Sequence, residues 1–277
     1  MQRIRYSTVL LAVGCALAIV SAAYAGDGRS CPGATPNPNG ANIATRVFND
    51  CPTSTLNVNN LYPASIIIND QNLACFGYAN LHTWSFSTDG GATKAQFENC
   101  SAYRFCADVV LDGDDPPGEA GLRLAPWWSP DADGKFMLNY GTGEIACFGG
   151  RLPFYSFTAA YGIHYVRNQI AHMQITYLPN GLSSASPATI QYDLLLGGTP
   201  YSSGPIAFDS GNMAEDPPHG LWGELVPAYA GGYFQPVLDG SGNPYSMACT
   251  WMNICYEDLG VTPAKTTTWG KVKTLYR

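Results

Sequence analysis

From Ser65 onward the chain alternates apolar and polar positions in short runs, and clusters of Gly, Pro, Asp or Asn separate them. A period of two with frequent turn residues is the signature of antiparallel sheets with one face buried. The runs "SIIIN", "TWSFS", "AQFEN", "YRFCADVVL", "AGLRLAPWW", "KFMLNY", "AHMQITYL", "ATIQYDLLL", "GGYFQPVL" and "MACTWMNICYE" predict strands. Between them "STDGGAT", "DGDDPPGE", "SPDADGK", "LPNGL" and "LDGSGNP" predict tight turns. Only residues 161–176 suggest a helix, and the Tyr, Ile, Val and Thr there disfavour one. No fixed-period repeat points to a propeller or solenoid. The expectation is one all-β sandwich over residues 61–260, preceded at 26–60 by a Pro-, Gly- and Asn-rich leader and a first strand.

Composition supports strands over helices. The chain has 277 residues, with 30 Gly, 20 Pro, 17 Tyr and only 13% charged residues. Residues 1–25 read as a signal peptide: Arg3 and Arg5 precede an apolar run, and Ala23 and Ala25 bracket Tyr24 before the expected cleavage. Its removal takes away two arginines and no acid, so the net charge of −7 becomes −9. So acidic a chain argues against a nucleic-acid partner. No other apolar run approaches the roughly 20 residues of a spanning helix, so the mature chain is expected not to span a membrane. A secreted, periplasmic or cell-surface location follows.

Eight cysteines remain after cleavage, at positions 31, 51, 75, 100, 106, 147, 249 and 255. An even count in an exported chain predicts disulfides. The spacings contain no Cys-x-x-Cys and no zinc knuckle, which disfavours redox or zinc chemistry. The last residues, 261–277, hold Lys265, Lys271, Lys273 and Arg277 with no acid. They read as a solvated basic tail or edge strand, or as a signal engaging export or anchoring machinery.

The order of runs from "FSTDGGATKAQFEN" to "GGYFQPVLDGSGNPYSMACTWMNICYED" resembles the concanavalin A-like lectin/glucanase superfamily, in its laminin-G-like branch. The resemblance covers about residues 65–258 and implies a two-sheet antiparallel jelly-roll sandwich. It implies three kinds of role: sugar binding, surface structure, and polysaccharide cleavage. The glucanases' Glu-x-Asp-x-x-Glu strand, which supplies paired carboxylates, is absent. "YAGGYFQ" is similar to part of the alginate-lyase strand Ala-Gly-x-Tyr-x-Gln, and would put Tyr233 and Gln235 on one face. The lyases' Gln-x-His and Arg-Ser-Glu-x-Arg strands find no counterpart, leaving no arginine clamp.

The resemblance also brings the strands carrying Cys100/Cys106 and Cys249/Cys255 side by side. A single antiparallel register would then join Cys106 to Cys249 and Cys100 to Cys255, leaving Cys31 with Cys51 and Cys75 with Cys147.

Candidate ligand groups are few. Asp131 and Asp133 in "SPDADGK" alternate as calcium-loop carboxylates do, or serve a hairpin. Calcium is a common companion of this fold; Asp112, Asp114 and Asp115, and Asp209, Glu215 and Asp216, are further oxygen donors. Trp127 and Trp128 are adjacent, so in a strand one points outward and can stack on a sugar ring. The four histidines lack metal-ligand spacing, and no nucleophile elbow is present. The sequence therefore predicts a secreted, non-catalytic carbohydrate-binding or surface-structural module, with a glycan or cell-surface polysaccharide as partner. A polysaccharide lyase or glycoside hydrolase of the same fold is the alternative.

Overall fold

The computed structural model describes residues 36–47, 51–74, 76–78, 80–98, 101–114, 118–125, 134–149, 152–180, 186–207, 227–239 and 243–260. Their strands are β1 (Gly40–Ala44), β2 (Thr55–Leu61), β3 (Ser65–Leu73), β4 (Phe76–Tyr78), β5 (His82–Ser87), β6 (Phe97–Glu98), β7 (Ala102–Gly113), β8 (Gly118–Ala125) and β9 (Gly134–Asn139). Then come β10 (Ile145–Phe148), β11 (Tyr155–Ser156), the helical turn α1 (Phe157–Tyr161), β12 (Ala171–Leu178), β13 (Thr189–Leu196), β14 (Thr199–Ser202), β15 (Ile206–Ala207), β16 (Pro227–Asp239) and β17 (Tyr245–Gly260).

Among the described residues these strands form two antiparallel sheets. Sheet A runs β1-β5-β16-β8-β9-β10-β11, with β4 and β6 also paired to β16; sheet B runs β14-β13-β12-β7-β17-β3-β2, with β15 paired to β13. This two-sheet arrangement fits the concanavalin A-like sandwich that the order of runs resembles.

Alternation places one set of side chains from each strand between the sheets. Trp84 and Phe86 of β5, Tyr103 and Phe105 of β7, Phe136 of β9 and Trp251 of β17 are buried in one continuous core. Trp84 and Trp251 meet edge to face, 6.2 Å between ring centres, and Trp251 Nε1 donates across the sandwich to the Gly121 carbonyl at 3.0 Å. Gly232 sits beneath them, where a Cβ would lie 2.2 Å from Trp84 Nε1 and 2.6 Å from Trp251 Nε1. The absent side chain is what lets the two indoles share the centre.

Each of the ten expected runs contains a strand among the described residues, "AGLRLAPWW" as far as Ala125. A first strand was expected within 26–60 without bounds; β1 lies there, and β2 ("TLNVNNL"), an edge strand with nearly every residue exposed, runs from there to Leu61. Its alternation is limited to Leu56, which packs against the core, and Val58, which is exposed at the sheet edge. Over 161–176, where the sequence suggested a helix but its Tyr, Ile, Val and Thr disfavoured one, the structure has only the end of α1, then a loop and β12. Ser156 caps the five-residue α1 through its Oγ, and Gly162 (φ 68°) ends it in the left-handed region. Residues 162–170 then form a loop held by Tyr165, whose hydroxyl accepts from Leu111 N–H at 2.8 Å and donates to the Gln169 carbonyl at 2.9 Å.

The expected disulfides are corrected too. Strands β7 and β17 are neighbours, but the disulfide joins Cys106 to Cys255. Ahead of a bulge at Asn253, Cys249 lies opposite Leu111; beyond it, Cys255 lies opposite Cys106. The extra residue switches which side chains face the core: Met247, Cys249 and Trp251 are buried before the bulge, and Ile254 after it. Asn253 takes φ 50°, gives its Nδ2 to Asp108 Oδ2 at 2.7 Å and its N–H to the Ala64 carbonyl. Cys249 and Cys147 are free and buried, which overturns the pairs Cys106–Cys249, Cys100–Cys255 and Cys75–Cys147. Cys51 is disulfide-bonded, and its partner, like Cys31, Cys75 and Cys100, lies outside the described residues.

Candidate functional site

The outward face of sheet A gathers the polar side chains of its central strands. On β16, Ala228, Ala230 and Phe234 join the core, so Tyr229, Gly231, Tyr233 and Gln235 point away from it. By the same alternation β8 presents Glu119, Gly121 and Arg123, β9 presents Lys135, Met137 and Asn139, and β5 presents Thr83, Ser85 and Ser87. Register aligns them in rows: Ser85, Gly231, Arg123 and Lys135 in one; Thr83, Tyr233, Gly121 and Met137 in the next; Gln235, Glu119 and Asn139 in the third.

Lys135 breaks the rows. Its side chain leans past Gly121, and Nζ donates to Glu119 Oε1 at 2.7 Å and to Gln235 Oε1 at 3.2 Å. The same nitrogen lies 4.7 Å from the centre of the Tyr233 ring. Glu119 and Gln235 are each 8% exposed. Tyr233 is fully buried, packed with Leu81, Met137 and Ala146 and flanked by Val47 and Phe148. The expected pair is thus on one face, as predicted, but the tyrosine lies in a small apolar cluster instead of an open cleft.

At the other end of the row Tyr229 is partly exposed. Its hydroxyl accepts from Gln96 Nε2 at 3.1 Å, and Lys94 Nζ lies 5.5 Å from its ring centre. Strand β8 ends at Ala125, opposite Tyr229. Trp127 and Trp128 follow two and three residues later, and lie outside the described residues with Asp131 and Asp133.

Sequence reasoning missed Arg123, Glu119 and Lys135. The arginine, only 1% exposed, lies beside Gly231 on the same face as Tyr233 and Gln235, so an arginine is present without the expected motif. Its signal was parity: Glu119 and Arg123 stand four apart in a strand, which puts them on one face. Two hydroxyls on this face, Thr83 Oγ1 and Ser85 Oγ, are buried without a hydrogen-bond partner.

A second polar group lies between the sheets. Asp70 of β3 and His82 of β5 are fully buried, with His82 Nε2 3.0 Å from Asp70 Oδ2. Asn80 Nδ2 donates to the same oxygen at 2.8 Å, and the Arg46 N–H reaches His82 Nδ1 at 3.3 Å. Asn80 also exchanges two bonds with the Cys51 backbone. Burial pushes the Asp70 carboxyl up, but hydrogen bonds from His82, Ser54 and Asn80 outweigh it and hold the carboxyl below its ordinary value. Buried and bonded through Asp70 Oδ2, this group fastens the leader to both sheets. His172, on the outer face of sheet B, pairs with Asp108 at 2.7 Å.

Asp114, one of the candidate oxygen donors, accepts the Ser246 N–H at 3.0 Å. Among the described residues no group of three or more His, Cys, Asp or Glu is arranged to hold a metal ion.

No protein-family model and no curated protein matches the chain. Solved structures similar to it include a family 7 alginate lyase in complex with a substrate, at 11% identity and TM-score 0.42, covering 70% of this chain and 78% of that one. Lectin II from Ulex europaeus is similar at 11% identity and TM-score 0.39, covering 80% and 96%. The alginate lyase AlgAT5 of polysaccharide lyase family 7 is similar at 11% identity and TM-score 0.37, covering 74% and 82%.

Proposed function

We propose that this chain is an exported, non-catalytic carbohydrate-binding module that holds a glycan at the Tyr229 end of sheet A. The observation that carries this reading is the contrast between two tyrosines on one row of β16. Tyr233, where a lyase base would stand, is fully buried in an apolar cluster. Proton abstraction requires the base to reach the substrate within hydrogen-bond distance. Glu119, the nearby carboxylate, is engaged by Lys135.

Tyr229, by contrast, offers a partly exposed ring framed by the ammonium of Lys94 and the amide of Gln96. An aromatic face with polar groups at its edge suits a sugar ring, which has apolar C–H faces and a hydroxyl rim. Sugar stacking by Trp127 or Trp128 and calcium binding by Asp131 and Asp133 belong to the same proposal. Export through residues 1–25 and attachment through the basic tail 261–277 belong to the same reading.

A polysaccharide panel tests it. Retention on a glycan, weakened in Tyr229→Ala and Trp128→Ala, with no unsaturated uronate released, is the expected result. A panel on which nothing is retained would leave only a surface-structural role.

A further inference from the structure

We propose that Lys135 and Gln235 form an intramolecular isopeptide bond, with Glu119 as the proton carrier. The three side chains stand on three adjacent strands of sheet A, β9, β16 and, between them, β8. Lys135 Nζ is 2.7 Å from Glu119 Oε1 and 3.2 Å from the Gln235 carbonyl oxygen. An amine at that distance from a carbonyl oxygen needs only a side-chain rotation to meet the carbonyl carbon, and such proximity replaces an intermolecular encounter.

The site is largely shielded from water, the Lys135 and Glu119 side chains being 17% and 10% exposed. The Tyr233 ring lies against Nζ, and Met137 and Ala146 pack on Tyr233.

The step balances without an oxidant or added reactant. Glu119 takes a proton from the Lys135 ammonium, and the freed lone pair attacks Gln235 Cδ. The Nζ–Cδ bond forms while the protonated Glu119 lies beside the developing oxyanion and departing nitrogen. The Cδ–Nε2 bond then breaks. Nζ yields two protons in all: the first passes through Glu119 to the departing nitrogen, and the second through Glu119 to the released ammonia. Ammonium leaves, Glu119 regains its charge, and a secondary amide ties β9 to β16 across β8, closing a separation of 100 residues.

This cross-link is independent of glycan binding, which the preceding proposal places at the Tyr229 end. The test is the mass of the purified full chain after disulfide reduction, with a tryptic map. The expected mass falls short of the sequence mass by one ammonia, trypsin fails to cut after Lys135, and a branched peptide carries both Lys135 and Gln235. Succinimide formation at Asn180–Gly181 would also lose ammonia, but gives no branched peptide. Glu119→Gln and Lys135→Arg should each abolish the branched peptide. If those variants do not fold, the wild-type map alone decides. Lys135 and Gln235 in separate, unlinked peptides overturns the proposal.

Discussion

Cys106 and Cys249 lie on neighbouring strands of sheet B and face opposite sides of it. Cys106 is on the outer face, bonded to Cys255, while Cys249 points into the core opposite Leu111. One bulged residue, Asn253, separates Cys249 from Cys255, which an unbroken strand would place on the same face.

The thiols should behave accordingly. Burial raises both the Cys147 and Cys249 thiols well above their ordinary value, so neither is a reactive thiolate. Alkylation of the native protein should leave both unlabelled and denaturation should expose both, with Cys106 and Cys255 recovered as one linked peptide. Cys106→Ser should cost about 2–5 kcal/mol. Native labelling of Cys249 would contradict the register.

The bulge itself is testable. Asn253→Gly keeps a residue at home with positive φ and loses the bond to Asp108, at about 0.5–1.5 kcal/mol. Asn253→Val adds backbone strain and should cost about 1–3 kcal/mol more. Denaturant midpoints at unchanged slope would measure both.

The tryptophan crossing sets the tolerance at Gly232. Gly232→Ala places a methyl group against both indole nitrogens and should destabilise by about 1–3 kcal/mol. For a domain of this size each kcal/mol lowers the Tm by roughly 2–4 °C.

Asp70 makes part of the stability pH-dependent. Its folded-state pKa lies below its unfolded one. Its contribution is therefore present above the unfolded value of about 3.9 and lost as pH falls through the lower folded value. Asp70→Asn should cost about 1.5–3 kcal/mol at neutral pH and flatten the acid limb of a stability–pH profile. An unchanged acid limb would show that other carboxylates set it.

The sequence made the strongly alternating strands legible because alternation is the direct imprint of a half-buried sheet. The same pattern put Tyr233 and Gln235 on one face. It did not bound β2, whose alternation is limited to Leu56 and Val58, or reveal the Asn253 bulge, since nothing in "WMNICY" distinguishes a bulged from a straight strand. That single residue decided the disulfide. The cluster around Lys135 escaped notice for another reason: its members lie 16 and 100 residues apart and meet only through strand order. The burial of Tyr233 was equally hidden, because Val47 and Leu81 reach it from distant segments.

The most direct test of a non-catalytic carbohydrate module compares wild type, Tyr229→Ala and Tyr233→Phe on one polysaccharide panel, scoring retention and unsaturated-uronate release together. The predicted result is retention without turnover, weakened about tenfold, or ~1.4 kcal/mol, by Tyr229→Ala and untouched by Tyr233→Phe. Turnover in the wild type that Tyr233→Phe abolishes would contradict the account.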